Sequence, residues 1–301
     1  MKKTNKKLLV ILITVSSSLL LSFMTFFKSS YDPEYVKIGA QNYNGEKFVY
    51  VSMTRSGERI KAKYFAAKDE YGRSVYSRFS EWSKNKNVVL LCAAAYYTEN
   101  TNTGEKLPSG LTIDNGKLVN KEISDRGSAL VIVYATGGIA VSNLKEKNLN
   151  MTCDGASKTF NLKDSWDRNQ FISCAEKQSA TVFQQHLLVY RNQLNDFSGA
   201  NQFKTAIKER RFLAVGKDAN GVLKHIIIDY PTQTTLITGA EKVLNFLKDA
   251  YDMKEVIYMV NMDPGAQNVF KLYDKNGNIR NDIQGTVDPK DAVNLLVYYF
   301  E

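Results

Sequence analysis

The sequence predicts an α+β fold: one domain of mostly antiparallel or mixed β-sheet, built from hairpins and one long crossover helix, behind an N-terminal membrane segment. Three observations predict it. Short apolar or β-prone runs recur along the chain between turn residues that include Asn115-Gly116 and Asn276-Gly277, the pairing that two-residue hairpin turns favour. One stretch, 238–250, carries Ala240, Val243, Leu244, Leu247 and Ala250 on one helical face. No internal repeat or low-complexity linker divides the 301 residues, so the strands and the helix are expected to share one core.

The N-terminus sets the expected topology. Lys2, Lys3, Lys6 and Lys7 precede an uncharged stretch, 8–27, rich in Leu, Ile, Val and Phe. It is long enough to cross a bilayer as a helix, and the lysines would stay in the cytoplasm while the rest is exported. The expected organisation is a signal anchor or signal peptide over 1–28, a short polar stalk over 29–45 and a domain over 46–301. Phe26-Phe27-Lys28-Ser29-Ser30 is a poor cleavage sequence, which favours an uncleaved anchor.

The formal charge of +9 shrinks once the four leading lysines are set aside: without Lys2, Lys3, Lys6 and Lys7, 36 basic residues face 31 acidic ones. The remaining charges interleave, as in Lys145-Glu146-Lys147, which is how a solvated surface is written. No nucleic-acid partner is expected. Cys92, Cys153 and Cys174 are an odd set, so in an exported domain at least one stays unpaired or joins another molecule. Cys92 lies in an apolar run and reads as a buried thiol; Cys153 and Cys174 either bridge a loop to a helix or stay apart.

In order, 47–54 reads as a strand, with 59–66 as its hairpin partner across Arg55-Ser56-Gly57-Glu58. Residues 74–84 place Val75, Tyr76, Phe79 and Trp82 at helical spacing. A buried strand over 88–95 ends in Ala93-Ala94-Ala95-Tyr96-Tyr97, and 108–119 is a hairpin turning on Asn115-Gly116. A second hairpin joins 129–134 to 139–142 through Gly137-Gly138. Residues 145–168 read as polar and irregular, 170–185 as patchily helical, and 187–190 as a strand. Residues 192–211 read as a loop with one short helix at most, and 212–215 pairs with 222–229. The long helix follows, with Thr238 placed to cap it and Glu241 three residues on. It leads to the strand 257–261, a hairpin over 272–279 and a last strand over 293–300.

The strand at 257 delivers Asn261-Met262-Asp263 to a Pro264-Gly265 turn. A carboxylate at a rigid strand end, beside an exposed loop, is well placed for chemistry; Asp before Pro-Gly also caps a turn with no further role. The succession Ala93-Ala94-Ala95-Tyr96-Tyr97, Pro108-Ser109-Gly110-Leu111, Arg211-Phe212-Leu213-Ala214-Val215-Gly216 and Asn261-Met262-Asp263-Pro264-Gly265-Ala266-Gln267 resembles, over about 47–300, the phosphodiester glycosidase domain family. That family shows Asn-Gly-Gly-aromatic-aromatic, Pro-x-Gly-Leu, Arg-x-Ala-x-Gly and Asn-x-Asp-Gly-Gly-Gly-Ser in the same order. The chain departs from it at Ala93, at Phe212, where the arginine is displaced to Arg211, and at Pro264, Ala266 and Gln267. A glycine turn can aim successive backbone N–H groups at a phosphate, whereas proline has none to offer.

What the resemblance implies is an exported hydrolase acting on a sugar phosphodiester or a cell-envelope glycan linkage, or a catalytically degenerate relative that binds a glycan or another envelope component. Such chemistry uses a carboxyl group as acid or base and donors that neutralise phosphate. Asp263 is the first candidate carboxyl and Asp229 the second. The substrate-binding candidates are Tyr97, Gly110, Arg126, Gln185, His186, Arg211, Asn261 and Gly265; a guanidinium offers paired donors to anionic oxygens, and the polar trio Gln184-Gln185-His186 drops between apolar neighbours. Neither His186 nor His225 has a partner at metal-ligand spacing, so no metal and no cofactor are expected. Oligomeric state is left open.

Overall fold

The computed structural model describes residues 35–55, 59–68, 71–99, 104–125, 127–146, 149–195, 204–265, 268–274, 276–284 and 286–301. In chain order these form β1 (Val36–Tyr43), β2 (Glu46–Thr54), β3 (Ile60–Phe65), α1 (Val75–Ser83), β4 (Asn87–Cys92), β5 (Tyr97–Glu99), β6 (Lys106–Pro108), β7 (Thr112–Asp114), β8 (Lys117–Asn120), β9 (Ala129–Val133) and β10 (Ile139–Asn143). The second half holds β11 (Leu149–Cys153), β12 (Ala156–Phe160), α2 (Ser165–Lys177), β13 (Thr181–Gln185), β14 (Leu187–Tyr190), β15 (Gln193–Leu194), β16 (Lys208–Asp218), β17 (Leu223–Thr234), α3 (Leu236–Asp249), β18 (Met253–Asn261), β19 (Phe270–Tyr273), β20 (Ile279–Gln284), a 3-10 turn (Pro289–Asp291) and β21 (Leu295–Phe300). Among the described residues no helix is long and apolar enough to cross a membrane; the expected anchor, 8–27, lies outside them.

Three larger sheets carry the fold, in the orders β1-β2-β17-β16-β18-β14-β15, β10-β9-β13-β7-β8 and β20-β19-β4-β21-β3. Each turns one face to a shared core, which joins Val51 and Met53, Leu213 and Val260 from the first, Val131 and Phe183 from the second, and Leu90, Phe270 and Leu296 from the third. The opposite faces pack on one helix each: α3 on the seven-stranded sheet, α2 on the second and α1 on the third. This division explains why so many strands read as continuous apolar runs, because both of their faces are covered.

The long helix is the expected crossover. β17 and β18 both flank β16 in antiparallel register, so they run the same way and α3 must carry the chain over the sheet between them. Its Leu236, Ala240, Val243, Leu244 and Leu247 are buried against that sheet. The cap, however, is Thr235 rather than Thr238: Thr235 is extended and its Oγ1 accepts the Thr238 N–H at 3.1 Å. Thr238 sits one turn in, where its hydroxyl meets that of Thr235 at 2.9 Å.

Three further expectations are corrected. The part of the stalk that can be described, 35–45, is the edge of the seven-stranded sheet, with Val36 opposite Met53 and Tyr43 opposite Glu46. Its turn, Asn44-Gly45, has φ of 50° and 77°, the left-handed pair that a tight hairpin needs. Residues 47–54 and 59–66 are not hairpin partners: β2 lies between β1 and β17, while β3 pairs with β21, so the chain passes from one sheet to another between them. Residues 145–168 are not irregular but contain the hairpin β11-β12, turning on Asp154-Gly155 at φ 52° and 81°, and the start of α2, capped by Asp164. A disulfide joins Cys153 of β11 to Cys174 of α2, and Cys92 is a buried free thiol.

Candidate active site

At one end of the seven-stranded sheet, strand termini from different sheets meet. His186 lies where the chain leaves β13 in one sheet and enters β14 in another. Asp263 follows the end of β18, Lys208 begins β16, Leu236 opens α3, and Tyr96 and Tyr97 follow β4. Strands that part company to join different sheets leave space between them. Here that space is a cavity of about 350 Å³ lined by Tyr96, Tyr97, Gln185, His186, Lys208, Arg210, Leu236, Asp263 and Gly265, among others.

Asp263 is 2% exposed. Its Oδ1 accepts the Gly265 N–H at 2.9 Å, the turn-capping bond expected of Asp before Pro-Gly. Burial nevertheless raises its pKa above the ordinary carboxylate value, against the opposing pull of the Gly265 N–H and the charges of Arg211 and Lys208. A carboxyl group that holds its proton more tightly than usual is the state a general acid needs.

Asn261 is fully buried beneath it. Its Nδ2 donates to the Met262 carbonyl at 2.6 Å and to the Tyr96 hydroxyl. Burial, and after it the charge of Asp263, pushes the Tyr96 phenol up to about 12. The His186 ring lies 5.5 Å from the Tyr96 ring, tilted by 58°, and its backbone carbonyl accepts the Asn261 N–H at 3.1 Å. Gln185 is spent internally: its Nε2 donates to the Ala94 carbonyl at 2.8 Å and its Oε1 accepts the His186 N–H at 2.9 Å.

Of the residues singled out from the sequence, Asp263, Tyr97, Gln185, His186 and Gly265 line the cavity, and Asn261 reaches it through Tyr96. Arg211 and Asp229 do not line it. They pair with each other, Nε and Nη2 both 2.9 Å from Oδ1, while the guanidinium lies 4.3 Å from the Phe270 ring centre. In a strand, neighbouring residues face opposite sides, so Arg210 is the one that reaches the cavity, and it is burial that lowers its pKa. Gly110 stands behind the wall: its φ is 86°, and a Cβ there would come within 2.3 Å of Gln184 Oε1. That amide ties the loops together, taking the Leu111 and Ser124 N–H groups and donating to the Ser124 and Gly127 carbonyls. Arg126 lies outside the described residues.

Tyr96, Lys208 and Arg210 are cavity residues that the sequence reading passed over. Tyr96 was visible beside Tyr97 in the same motif; Lys208 and Arg210 sit in a stretch read as loop, without a signal that β16 begins there. Among the described residues no group of three or more His, Cys, Asp or Glu side chains could hold a metal ion.

No family model matches the chain, and no curated protein matches it. The solved structures that are similar at low identity include these three. The zebrafish N-acetylglucosamine-1-phosphodiester alpha-N-acetylglucosaminidase catalytic domain, auto-inhibited by pro-peptide, shares 15% identity at a TM-score of 0.49, over 88% of this chain and 82% of that one. A protein from Synechocystis shares 14% at 0.45, over 88% of this chain and 62% of that one. A candidate exported protein of Burkholderia pseudomallei shares 12% at 0.43, over 85% and 74%.

Proposed function

We propose that this chain is an exported hydrolase acting on a sugar phosphodiester or a related glycan linkage of the cell envelope. The observation that carries the proposal is a single cavity in which a buried carboxyl of raised pKa, Asp263, shares the lining with the cationic side chains of Lys208 and Arg210. A phosphodiester is an anion that leaves badly without a proton. Cations offset its charge, and a protonated carboxyl supplies what the leaving oxygen lacks. In the reaction so drawn, the Asp263 proton passes to the bridging oxygen as its bond breaks. Water supplies the new hydroxyl on the other fragment, and the water's spare proton restores the carboxyl. Export rests on the lysines and the uncharged stretch 8–27.

One observation favours a second reading, a domain that binds such a glycan without cleaving it. Pro264 lines the cavity next to Asp263, where it offers no backbone N–H to a phosphate. The full chain, tested on a panel of hexose 1-phosphate diesters beside Asp263→Asn, separates the two. Turnover that falls about 10²-fold or more in a variant melting like the wild type is the result expected if the carboxyl does acid work. A folded Asp263→Asn variant with the wild-type rate removes Asp263 from the chemistry. Binding of the diesters without turnover by the wild type leaves the second reading.

A further inference from the structure

We infer that Tyr96, aimed by Asn261, is a catalytic hydrogen-bond donor that meets an anionic oxygen of the substrate; the inference rests on the cavity being the site proposed above. The argument begins with the Asn261 amide. Its Nδ2 lies 2.6 Å from the Met262 carbonyl, and turning the amide round would press its oxygen against that carbonyl, two acceptors in contact. The NH2 end therefore faces Met262, and the same end meets the Tyr96 hydroxyl. The amide holds this orientation although its Oδ1 is left without a partner among the described residues.

A phenol carries one proton and accepts through its lone pairs. Since Asn261 donates to the Tyr96 oxygen, the phenol's own proton points elsewhere. Among the described residues no acceptor takes it, and Tyr96 lines the cavity. The His186 ring, 5.5 Å away and tilted, limits where the phenol can swing. A phenol pushed up to about 12 by burial keeps its proton at neutral pH, so it serves as a donor and not as a base. The division of labour follows: Asp263 gives a proton away, whereas Tyr96 lends a hydrogen bond to the charge that develops on the phosphate. Fixed donors of this kind are worth about 10²–10³ in rate when they meet charge at the transition state. Asn261 is a positioning residue, acting through Tyr96.

The test uses the full chain and a hexose 1-phosphate diester. Tyr96→Phe is expected to lower kcat about 10²-fold with KM changed by less than about 3-fold, because the bond strengthens only at the transition state. Tyr134→Phe, at an exposed tyrosine outside the cavity, is the control, expected to keep its rate. Asn261→Asp gives the phenol an acceptor, so its proton turns away from the cavity; kcat should fall to a similar degree, and the double variant should lose little beyond either single one, since both remove the same interaction. A folded Tyr96→Phe with the wild-type kcat overturns the inference and leaves the hydrolase reading standing. Losses that multiply in the double variant overturn the aiming role of Asn261. If the wild type does not turn over, the hydrolase reading and the catalytic role of Tyr96 fall together, and calorimetry with methyl hexose 1-phosphate then tests only whether the phenol donates to a bound phosphate: weaker binding in Tyr96→Phe keeps that contact. Equal binding, or none by the wild type, overturns it.

Discussion

Asp114 and Asp263 occupy closely matched local settings. Asp114 ends β7 and opens Asp114-Asn115-Gly116; Asp263 follows β18 and opens Asp263-Pro264-Gly265; both are 2% exposed. Their partners differ. Asp114 Oδ2 accepts the Ala66 and Ala67 N–H groups at 2.9 and 3.0 Å and the Arg78 guanidinium at 2.5 Å, so one oxygen ties β7 to the end of β3 and to α1. Asp263 has, among the described residues, one backbone donor, and a cavity in front of it. Depth of burial therefore does not separate a structural carboxylate from a chemical one. What each faces does: Asp114 spends one oxygen on three donors that tie elements together, whereas Asp263 faces a cavity.

The largest effect that would test this contrast is loss of the structural partner. Asp114→Ala leaves two backbone N–H groups and Arg78 without their acceptor, and breaking a buried pair by removing one side costs about 3–5 kcal/mol. Urea unfolding should show it, with little change for Asp263→Asn. A cost for Asp114→Ala below about 1 kcal/mol would break the comparison.

A second buried group extends it to the opposite charge. His225 is fully buried, its Nδ1 is 3.2 Å from the Tyr298 hydroxyl, and burial, helped by the Arg55 charge, pulls its pKa from 6.5 to about 3. The folded chain then holds a neutral imidazole where the unfolded chain would be protonated. Its contribution to stability is complete above pH 6.5 and is lost as pH falls toward 3, by about 5 kcal/mol at most, at 1.36 kcal/mol per pKa unit. Unfolding midpoints taken stepwise from pH 7 to 3.5 should fall less steeply in His225→Phe than in the wild type; parallel curves would remove His225 from the acid limb.

The same contrast shows what the sequence could and could not convey. The hairpins at Asn115-Gly116 and Asn276-Gly277 and the helix around Val243 and Leu247 were legible because turn chemistry and helical spacing are local. The Asn44-Gly45 hairpin carried the same signal and was passed over because its strand, with Gly39 and Gln41, looks polar. Which strand joins which sheet was not legible: β2 and β3 are neighbours in sequence that enter different sheets, and nothing local marks that choice. The site divides in the same way. Asp263, Asn261 and His186 stood out at a strand end or in a polar break. Arg211 and Arg210 differ only in which side of β16 they face, and the sequence reading chose the one that pairs with Asp229. Asp114 drew no attention because its donors, Ala66, Ala67 and Arg78, lie 36–48 residues away.

The smallest effect is the most discriminating, and it concerns the sign of a pH dependence. Asp263 has a folded pKa above its ordinary value of 3.8, so between those two values the folded chain binds the proton and the unfolded chain does not. In that window stability falls as pH rises, and above it the folded chain carries a buried charge with one backbone donor among the described residues. Asp263→Asn keeps a side-chain oxygen for the Gly265 N–H and removes the charge. At pH 7 the variant should melt at or slightly above the wild type, and the advantage should shrink to nothing as pH drops below 3.8. For Asp114 the three donors predict the reverse at neutral pH: Asp114→Asn should melt lower, since an amide oxygen accepts the same bonds more weakly than a carboxylate does. Melting curves of both variants at pH 7 and pH 3.5 give four comparisons with the wild type. If Asp263→Asn is destabilised at pH 7 as much as Asp114→Asn, the Asp263 charge is as well held as that of Asp114, and the carboxyl is fixed in its turn rather than poised as an acid.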